Sequence, residues 1–313
     1  MNLTRTMFPV ENYDLSATLD SGQAFRWRQT DGAWTGVIHG RWVRLRAEPG
    51  AIVAETIGPA GDWLRHYLQL DVNLPHILSS FPQDDDALQT AVRACPGLRL
   101  LRQDPWECLD SFICSSTKQI VQIRQIIALL CARFGEPVQV PPEVEPAFSF
   151  PTYERIAAAA EPDLRQCKLG FRAPYLRGTA QMLAAGEIDL TRLPEMSLAQ
   201  ARAELCRFPG VGEKIADCAL LFSCGHAEAF PVDVWIMRAL RRQYFPRRKV
   251  SAARMRRFIG KHFGPYAGYA QQYLFHHIRI VEMAERLHGS CPGFMTQAKL
   301  RRMRAGRNWE TGG

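Results

Sequence analysis

This 313-residue chain lacks several features that would have assigned it to a class at once. No run approaches the roughly 18 consecutive apolar residues of a membrane helix. The opening Met1-Asn2-Leu3-Thr4-Arg5-Thr6-Met7 has no apolar core of the secretory type. A soluble intracellular protein is therefore expected, with no membrane partner. It would be cytoplasmic or in the nucleoid if the source is bacterial, nuclear if eukaryotic. No two cysteines show C-x-x-C spacing. The nine stand apart at 95, 108, 114, 131, 167, 206, 218, 224 and 291. An odd, scattered set speaks against a disulfide scaffold and a thiolate zinc site. Only Cys291 follows residue 224, which excludes an iron–sulfur cluster near the C-terminus. Lysine is scarce, six of 39 basic residues, and there is no internal repeat.

What is present is a formal charge of +8 on a chain of ordinary 47% hydrophobic content. The length suffices for two domains with a real core. The charge favours an anionic partner, nucleic acid first, although an arginine-biased composition would give the same excess.

The pattern changes once along the chain. Residues 23–57 read as an antiparallel meander with one face buried. Its strands are Ala24 to Arg28, Trp34 to Ile38, Arg41 to Leu45 and Ile52 to Ile57, with turns at Thr30-Asp31-Gly32, His39-Gly40 and Glu48-Pro49-Gly50. From about residue 60 the period is helical. Helices are expected over Asp62 to Leu70, Asp84 to Arg93, Asp104 to Ser116 and Gln119 to Phe134, and again near 152–160, 173–185, 197–207, 213–224, 234–244, 250–262 and 266–286. A proline-rich connector runs from Pro137 to Pro146. Three parts result: an N-terminal sheet domain with flanking helices over 1–103, a helical domain over 104–290, and a basic tail over 291–313.

The densest information lies in Leu205-Cys206-Arg207-Phe208-Pro209-Gly210-Val211-Gly212-Glu213-Lys214, followed by Pro231-Val232-Asp233-Val234. Two helices around a P-G-V-G turn make a helix-hairpin-helix. Gly210 and Gly212 permit a tight turn and close backbone approach. With Val211 they expose amides at a helix start, a seat for a DNA phosphate irrespective of sequence. An ordinary connection between two helices is the plainer reading. Lys214 falls in the first helical turn, where the macrodipole disfavours a cation and favours the neutral, nucleophilic amine. A surface lysine beside the phosphate is the alternative. Asp233, 19 positions on, fits the N-cap of the next helix. A capping carboxylate is rigid and held ionised by amides, which suits it to stabilise an electron-poor sugar carbon. Cys218 lies four residues after Lys214, on the same helix face.

These residues resemble the helix-hairpin-helix–Gly/Pro-Asp superfamily of DNA glycosylases, and within it the 8-oxoguanine DNA glycosylase family. Four segments spanning most of the chain carry the resemblance. They are Ser21-Gly22-Gln23-Ala24-Phe25-Arg26-Trp27; Leu100 to Cys108 running on through Ser111-Phe112-Ile113-Cys114-Ser115-Ser116; the hairpin with Pro231-Val232-Asp233-Val234; and Gly264-Pro265-Tyr266-Ala267-Gly268-Tyr269-Ala270-Gln271 through Leu274-Phe275. The resemblance implies an α+β, mainly helical, helix-hairpin-helix glycosylase fold with an N-terminal antiparallel sheet domain. It implies a bifunctional DNA glycosylase and abasic-site lyase that flips 8-oxoguanine out of duplex DNA and passes through a lysine Schiff base. Lys214 would attack the deoxyribose C1′ and Asp233 would be the essential carboxylate. The Gly22 carbonyl would accept the N7–H that guanine lacks, a discrimination of about 1–3 kcal/mol. Gln271 would read the Watson–Crick edge, with Phe275 and Cys218 sandwiching the base. The carbonyls of Cys206, Phe208 and Val211 would hold a structural cation. No cofactor would be required for catalysis, and the protein would act as a monomer on double-stranded DNA containing oxidised guanine.

Some positions depart from the family pattern. Thr117 and Gln122 replace the residues that usually fill the gap and read the orphaned cytosine, Phe171 stands for the usual wedge tyrosine, and Arg172 is kept. Trp235 and Ile278 replace a common histidine–acid pair, which suggests coordinated repacking. Two rivals stand beside this reading: a related glycosylase for another damaged purine, and a catalytically silent DNA-binding module.

Overall fold

The computed structural model describes residues 3–246 and 250–288. The basic tail expected over 291–313 lies outside the described residues. The described chain opens with β1 (Leu3–Pro9) and α1 (Leu15–Asp20), then continues through β2 (Arg28–Thr30), β3 (Ala33–Ile38), β4 (Arg41–Glu48) and β5 (Ala51–Ile57). These strands form one antiparallel sheet in the order β1-β5-β4-β3-β2. The expected meander is there, extended at its edge by β1, which pairs with β5 from Leu3↔Ile57 to Pro9↔Ala51. The strand expected over Ala24 to Arg28 is displaced to Arg28–Thr30. The sheet is also covered on both faces at its centre, since the adjacent residues Ile52 and Val53 are both buried. One face meets α1 and α2 (Gly61–Leu68) through Leu15, Leu19, Leu64 and Leu68. The other carries Trp42 and the stem of Arg44, whose head pairs with Glu55 across the strands.

The remaining elements are helical except for a two-stranded ribbon, β6 (Pro137–Val138) with β7 (Ala147–Phe148), which spans the proline-rich connector. The helices are α3 (Leu74–Ser79), α4 (Asp86–Ala94), α5 (Pro105–Cys114), α6 (Ile120–Phe134), α7 (Tyr153–Ala158), α8 (Glu161–Leu164), α9 (Ala173–Ala184), α10 (Leu198–Leu205), α11 (Glu213–Ala219), α12 (Val234–Gln243), α13 (Ala252–Phe263) and α14 (Ala267–His288). They build one large core that also takes in Phe25, Leu74, Ile77 and Leu88 from the N-terminal third. Helix α4 packs on α14, and α5 on α11.

The starts of these helices are written locally. Side chains of Asp14, Asn73, Asp85, Asp104, Thr152, Ser197, Asp233 and Ser251 each accept a backbone N–H at a helix N-terminus. Among the described residues no helix is long and apolar enough to cross a membrane.

The segment that must carry Gly22 is fixed by side chains rather than by a ladder. Gln23 is fully buried. Its Nε2 donates to the carbonyls of Thr18 and Arg99, and its Oε1 accepts from Leu101 N at 2.7 Å. Gln103 Nε2 donates back to the Gln23 carbonyl at 2.7 Å. These bonds satisfy a buried amide completely and tie residues 18–23 to residues 99–103.

Candidate active site

The hairpin joins α10 to α11, and the Arg202–Asp217 ion pair at 2.7 Å clamps the two helices together. Its two glycines serve differently. Gly210 has φ +74, and a Cβ there would lie 2.7 Å from the Tyr175 ring, so conformation and contact both require glycine. Gly212, the N-cap of α11, has extended backbone, and nothing stands within 4 Å of its Cβ position. Its lack of a side chain leaves the start of α11 open to an approaching anion. Val211 is buried, anchoring the loop.

Lys214 is half-buried in the first turn of α11. Its Nζ donates to Ser115 Oγ at 3.3 Å and lies 5.0 Å from the centre of the Phe112 ring. Both partners sit at the C-terminal end of α5, which the close packing of α5 on α11 brings beneath the lysine. Asp233 caps α12, its Oδ1 accepting from Ile236 N at 2.8 Å. Burial works against the capping that is expected to hold this carboxylate ionised. Burial raises its pKa, and this outweighs the opposing pull of the Ile236 amide and the Lys214 charge. Cys218 is buried beside both, its thiol pushed up to about 12 by burial against the opposing influence of Lys214. Lys214, Cys218 and Asp233 therefore share one electrostatic neighbourhood.

Of the expected base-reading residues, Gly22 and Phe275 meet, brought together from distant parts of the chain. Gln271 and Phe275 stand one turn apart on α14. Gln271 is 4% exposed, and its Oε1 has no hydrogen-bond partner among the described residues. Phe275 Cε1 lies 3.3 Å from the point a Cβ on Gly22 would occupy, and Gly22 has φ +81, a conformation that favours glycine. Arg279 shares that neighbourhood, with Nη1 at 3.3 Å from the same point.

The residues expected to reach into the duplex are less uniform. Phe171 is 54% exposed and meets Tyr175 edge-on. Arg172 is not extended toward a partner. It is 2% exposed, it donates to the carbonyls of Leu169 and Ser116 and to Thr117 Oγ1 at 2.7 Å, and it lies across the Phe171 ring. Its guanidinium braces the loop in which Thr117 adopts φ +57. Gln122 is exposed but engaged in the capping box that starts α6, accepting from Gln119 N. Trp235 stacks with Arg238, and Ile278 joins the large core.

For the expected cation, the carbonyls of Cys206 and Val211 accept no backbone hydrogen bond among the described residues, whereas that of Phe208 accepts from Val211 N at 3.2 Å. Carbonyl oxygens of this kind are the ligands a hard cation takes. Among the described residues no group of three His, Cys, Asp or Glu could hold a metal.

Sequence reasoning assigned no role to Ser115, Phe112 or Arg279. The first two sit in the Cys-Ser-Ser segment, but only packing shows that they meet the lysine. Arg279 continues the Gln271–Phe275 spacing by one more turn, and that periodicity was the available signal.

Known proteins resemble this chain in sequence and in fold. The family model described as 8-oxoguanine DNA glycosylase, N-terminal domain, matches residues 5–109. That of the HhH-GPD superfamily base excision DNA repair protein matches residues 111–265. A probable N-glycosylase/DNA lyase of Methanothermobacter thermautotrophicus is 33% identical, over 89% of this chain and 97% of its own. An N-glycosylase/DNA lyase of Arabidopsis thaliana is 31% identical, over 83% of this chain and 76% of its own. The 8-oxoguanine glycosylase/lyase of Clostridium acetobutylicum, solved with double-stranded DNA containing cytosine opposite 8-oxoguanine, superposes with a TM-score of 0.81 at 32% identity, covering 87% of this chain and 94% of that one.

Proposed function

We infer that this chain, which belongs to the 8-oxoguanine DNA glycosylase family, is a bifunctional N-glycosylase and DNA lyase that excises 8-oxoguanine from duplex DNA in base excision repair. Lys214 is its nucleophile and Asp233 its essential carboxylate. The observation that carries this assignment is the meeting of a half-buried lysine, a capping aspartate in its field and a buried thiol, directly behind a hairpin open to a phosphate.

Binding is carried largely by phosphate contacts at residues 210–212 and therefore weakens with salt. The damaged nucleotide leaves the stack at a cost of a few kcal/mol, and exposed Phe171 takes its place in the duplex. Arg172, which braces the 116–117 loop, reaches the duplex only by leaving Ser116 and Thr117.

Once it has given up a proton, the Lys214 amine donates its lone pair to C1′ as the C1′–N9 bond breaks. The bonding electrons leave with the base, which takes up a proton. Asp233 lies near the sugar and stabilises the positive charge that grows on it during this exchange. Loss of the amine proton and opening of the sugar give a Schiff base. Removal of a C2′ proton then expels the 3′ phosphate and nicks the strand. The substrate supplies every leaving group, so no redox cofactor enters. A cation on the carbonyls of Cys206, Phe208 and Val211 would stiffen the phosphate-binding loop and take no part in bond breaking.

The flipped base lies between Phe275 and Cys218. Gly22 offers its carbonyl to N7–H, and the unpaired Oε1 of buried Gln271 accepts from the Watson–Crick edge. A buried acceptor without a partner is costly, and a purine N–H relieves that cost. The protein works as a monomer, wherever its cell keeps its DNA.

Borohydride trapping over a panel of lesion duplexes tests this reading. A covalent adduct on 8-oxoguanine duplexes that disappears in Lys214→Gln, while damaged-DNA binding persists, supports it. Trapping that survives Lys214→Gln means another amine attacks. Adducts only on a different lesion would move the protein to another glycosylase specificity.

A further inference from the structure

Helix α14 presents Gln271, Phe275 and Arg279 at successive four-residue steps, hence along one stripe. The last of these is held at one end only. Arg279 Nη2 donates to the Asp20 carbonyl and stands 3.4 Å from Asp20 Oδ2. Its Nε and Nη1 are buried and have no partner among the described residues. Arg124 claims the other oxygen of the same carboxylate at 2.8 Å, so two guanidinium groups face one aspartate and a positive charge is left over. The free Nη1 comes within 3.3 Å of the Cβ position of Gly22, where the Phe275 ring edge also arrives. A donor without a partner is thus buried beside the glycine proposed to sort oxidised from normal guanine. Buried donors are almost always paired, and one left open beside residues proposed to bind a ligand points to that ligand.

We propose that Arg279 is a specificity-determining residue whose Nη1 donates a hydrogen bond to the C8 oxygen of the extruded base, next to the N7–H accepted by the Gly22 carbonyl. This rests on the base-pocket reading above. Oxidation changes the five-membered ring of guanine in two places: N7 gains a hydrogen, and C8 gains a carbonyl. The edge becomes a donor beside an acceptor. Its complement is an acceptor beside a donor, which Gly22 and Arg279 supply together. Guanine offers a C8–H at that point and leaves the guanidinium unsatisfied. One contact would then test for the new hydrogen and a second for the new oxygen.

The experiment compares single-turnover base release from duplexes carrying 8-oxoguanine or 8-thioguanine, with strand cleavage at a preformed abasic site as the reference. Sulfur keeps N7–H but weakens the acceptor on C8. Wild-type enzyme should favour the oxygen compound by about tenfold or more, the worth of one hydrogen bond to a charged donor. In Arg279→Leu, release of 8-oxoguanine should fall by about tenfold more than abasic cleavage does, and the oxo-to-thio ratio should approach one. Equal losses on both substrates and the abasic site would assign Arg279 a purely structural role through Asp20 and overturn the proposal, as would an unchanged ratio. Arg279→Lys keeps a cation for Asp20 and guards against misfolding. A wild-type melting temperature with a lowered ratio supports the proposal. Wild-type enzyme that fails to prefer 8-oxoguanine to guanine would instead bring down the Gly22 and Gln271 assignment, and the present inference with it.

Discussion

Replacing Asp233 by asparagine separates two duties that one carboxylate performs. As the N-cap of α12 it accepts the Ile236 amide at 2.8 Å. Asparagine caps nearly as well as aspartate, whereas alanine forfeits about 1 kcal/mol at such a position. As a charge, Asp233 is poorly placed for stability, because burial raises its pKa despite the nearby lysine. A carboxylate raised in the folded state contributes stability at low pH and loses it as pH rises through its folded value. The neutral amide has no such loss. Asp233→Asn should therefore unfold at the same urea concentration as wild type or a higher one at neutral pH, and Asp233→Ala at a lower one. Chemistry should move the other way. Withdrawing a fixed charge from the site where positive charge develops costs roughly 3–4 kcal/mol, or about a hundred- to a thousandfold in rate. Urea melts of the three proteins, with single-turnover release of 8-oxoguanine, read both duties at once. An asparagine variant that releases base at the wild-type rate would refute the reasoning and reduce Asp233 to a cap. One that is as unstable as the alanine variant would show that the buried charge is not a burden.

Other consequences are open to measurement. Gly210→Ala puts a methyl group at φ +74 and against the Tyr175 ring; left-handed strain and overpacking together should cost about 2–5 kcal/mol in denaturant melts, and Tyr175→Ala in the same chain should return part of it. A full return would mean that backbone strain contributes nothing. Asp110 is buried, one of its oxygens is unpaired, and its carboxyl is pushed up to about 7 by burial. Its contribution to stability should be complete below about pH 4, decline toward pH 7 and be gone above it, so the difference between wild type and Asp110→Asn should track that window; a difference independent of pH would show that Asp110 does not titrate there. Thr117 is bound to Arg172 and Gln122 to the start of α6, so excision should discriminate less between opposite bases than is usual in this family. Strong selectivity for cytosine in single-turnover assays would show that another residue has taken over the reading.

Much of the architecture could be read from local pattern, and the exceptions are instructive. Strands β3 to β5 and most of the long helices announce themselves through alternation, turns and caps. The edge strand β1 does not, because Leu3 and Met7 face outward and its burial falls mainly on Phe8. The segment from Gln23 to Trp27 alternates like a strand, yet Gln23 is held by partners more than seventy positions away, beyond any window along the chain. In the site, Lys214 and Asp233 were legible because they lie close together in sequence and at helix starts, and Cys218 because it stands four residues after Lys214. Arg172 had the right identity and an unforeseen orientation, since the carbonyls of Leu169 and Ser116 that hold it exist only in the folded loop. Ser115, although inside a family segment, and Arg279, although in step with Gln271 and Phe275, meet the site only through helix packing.

The Gln23 lattice has a consequence for how the two halves of the molecule divide their work. The residues proposed to cut lie wholly among the helices, whereas the peptide proposed to judge the base hangs from the sheet side, its height set by bonds across to residues 99–103. A mutation under the sheet that let this peptide sag by an ångström would leave the blade sharp and blind the inspector. Undamaged guanine, present in enormous excess, would then be the victim.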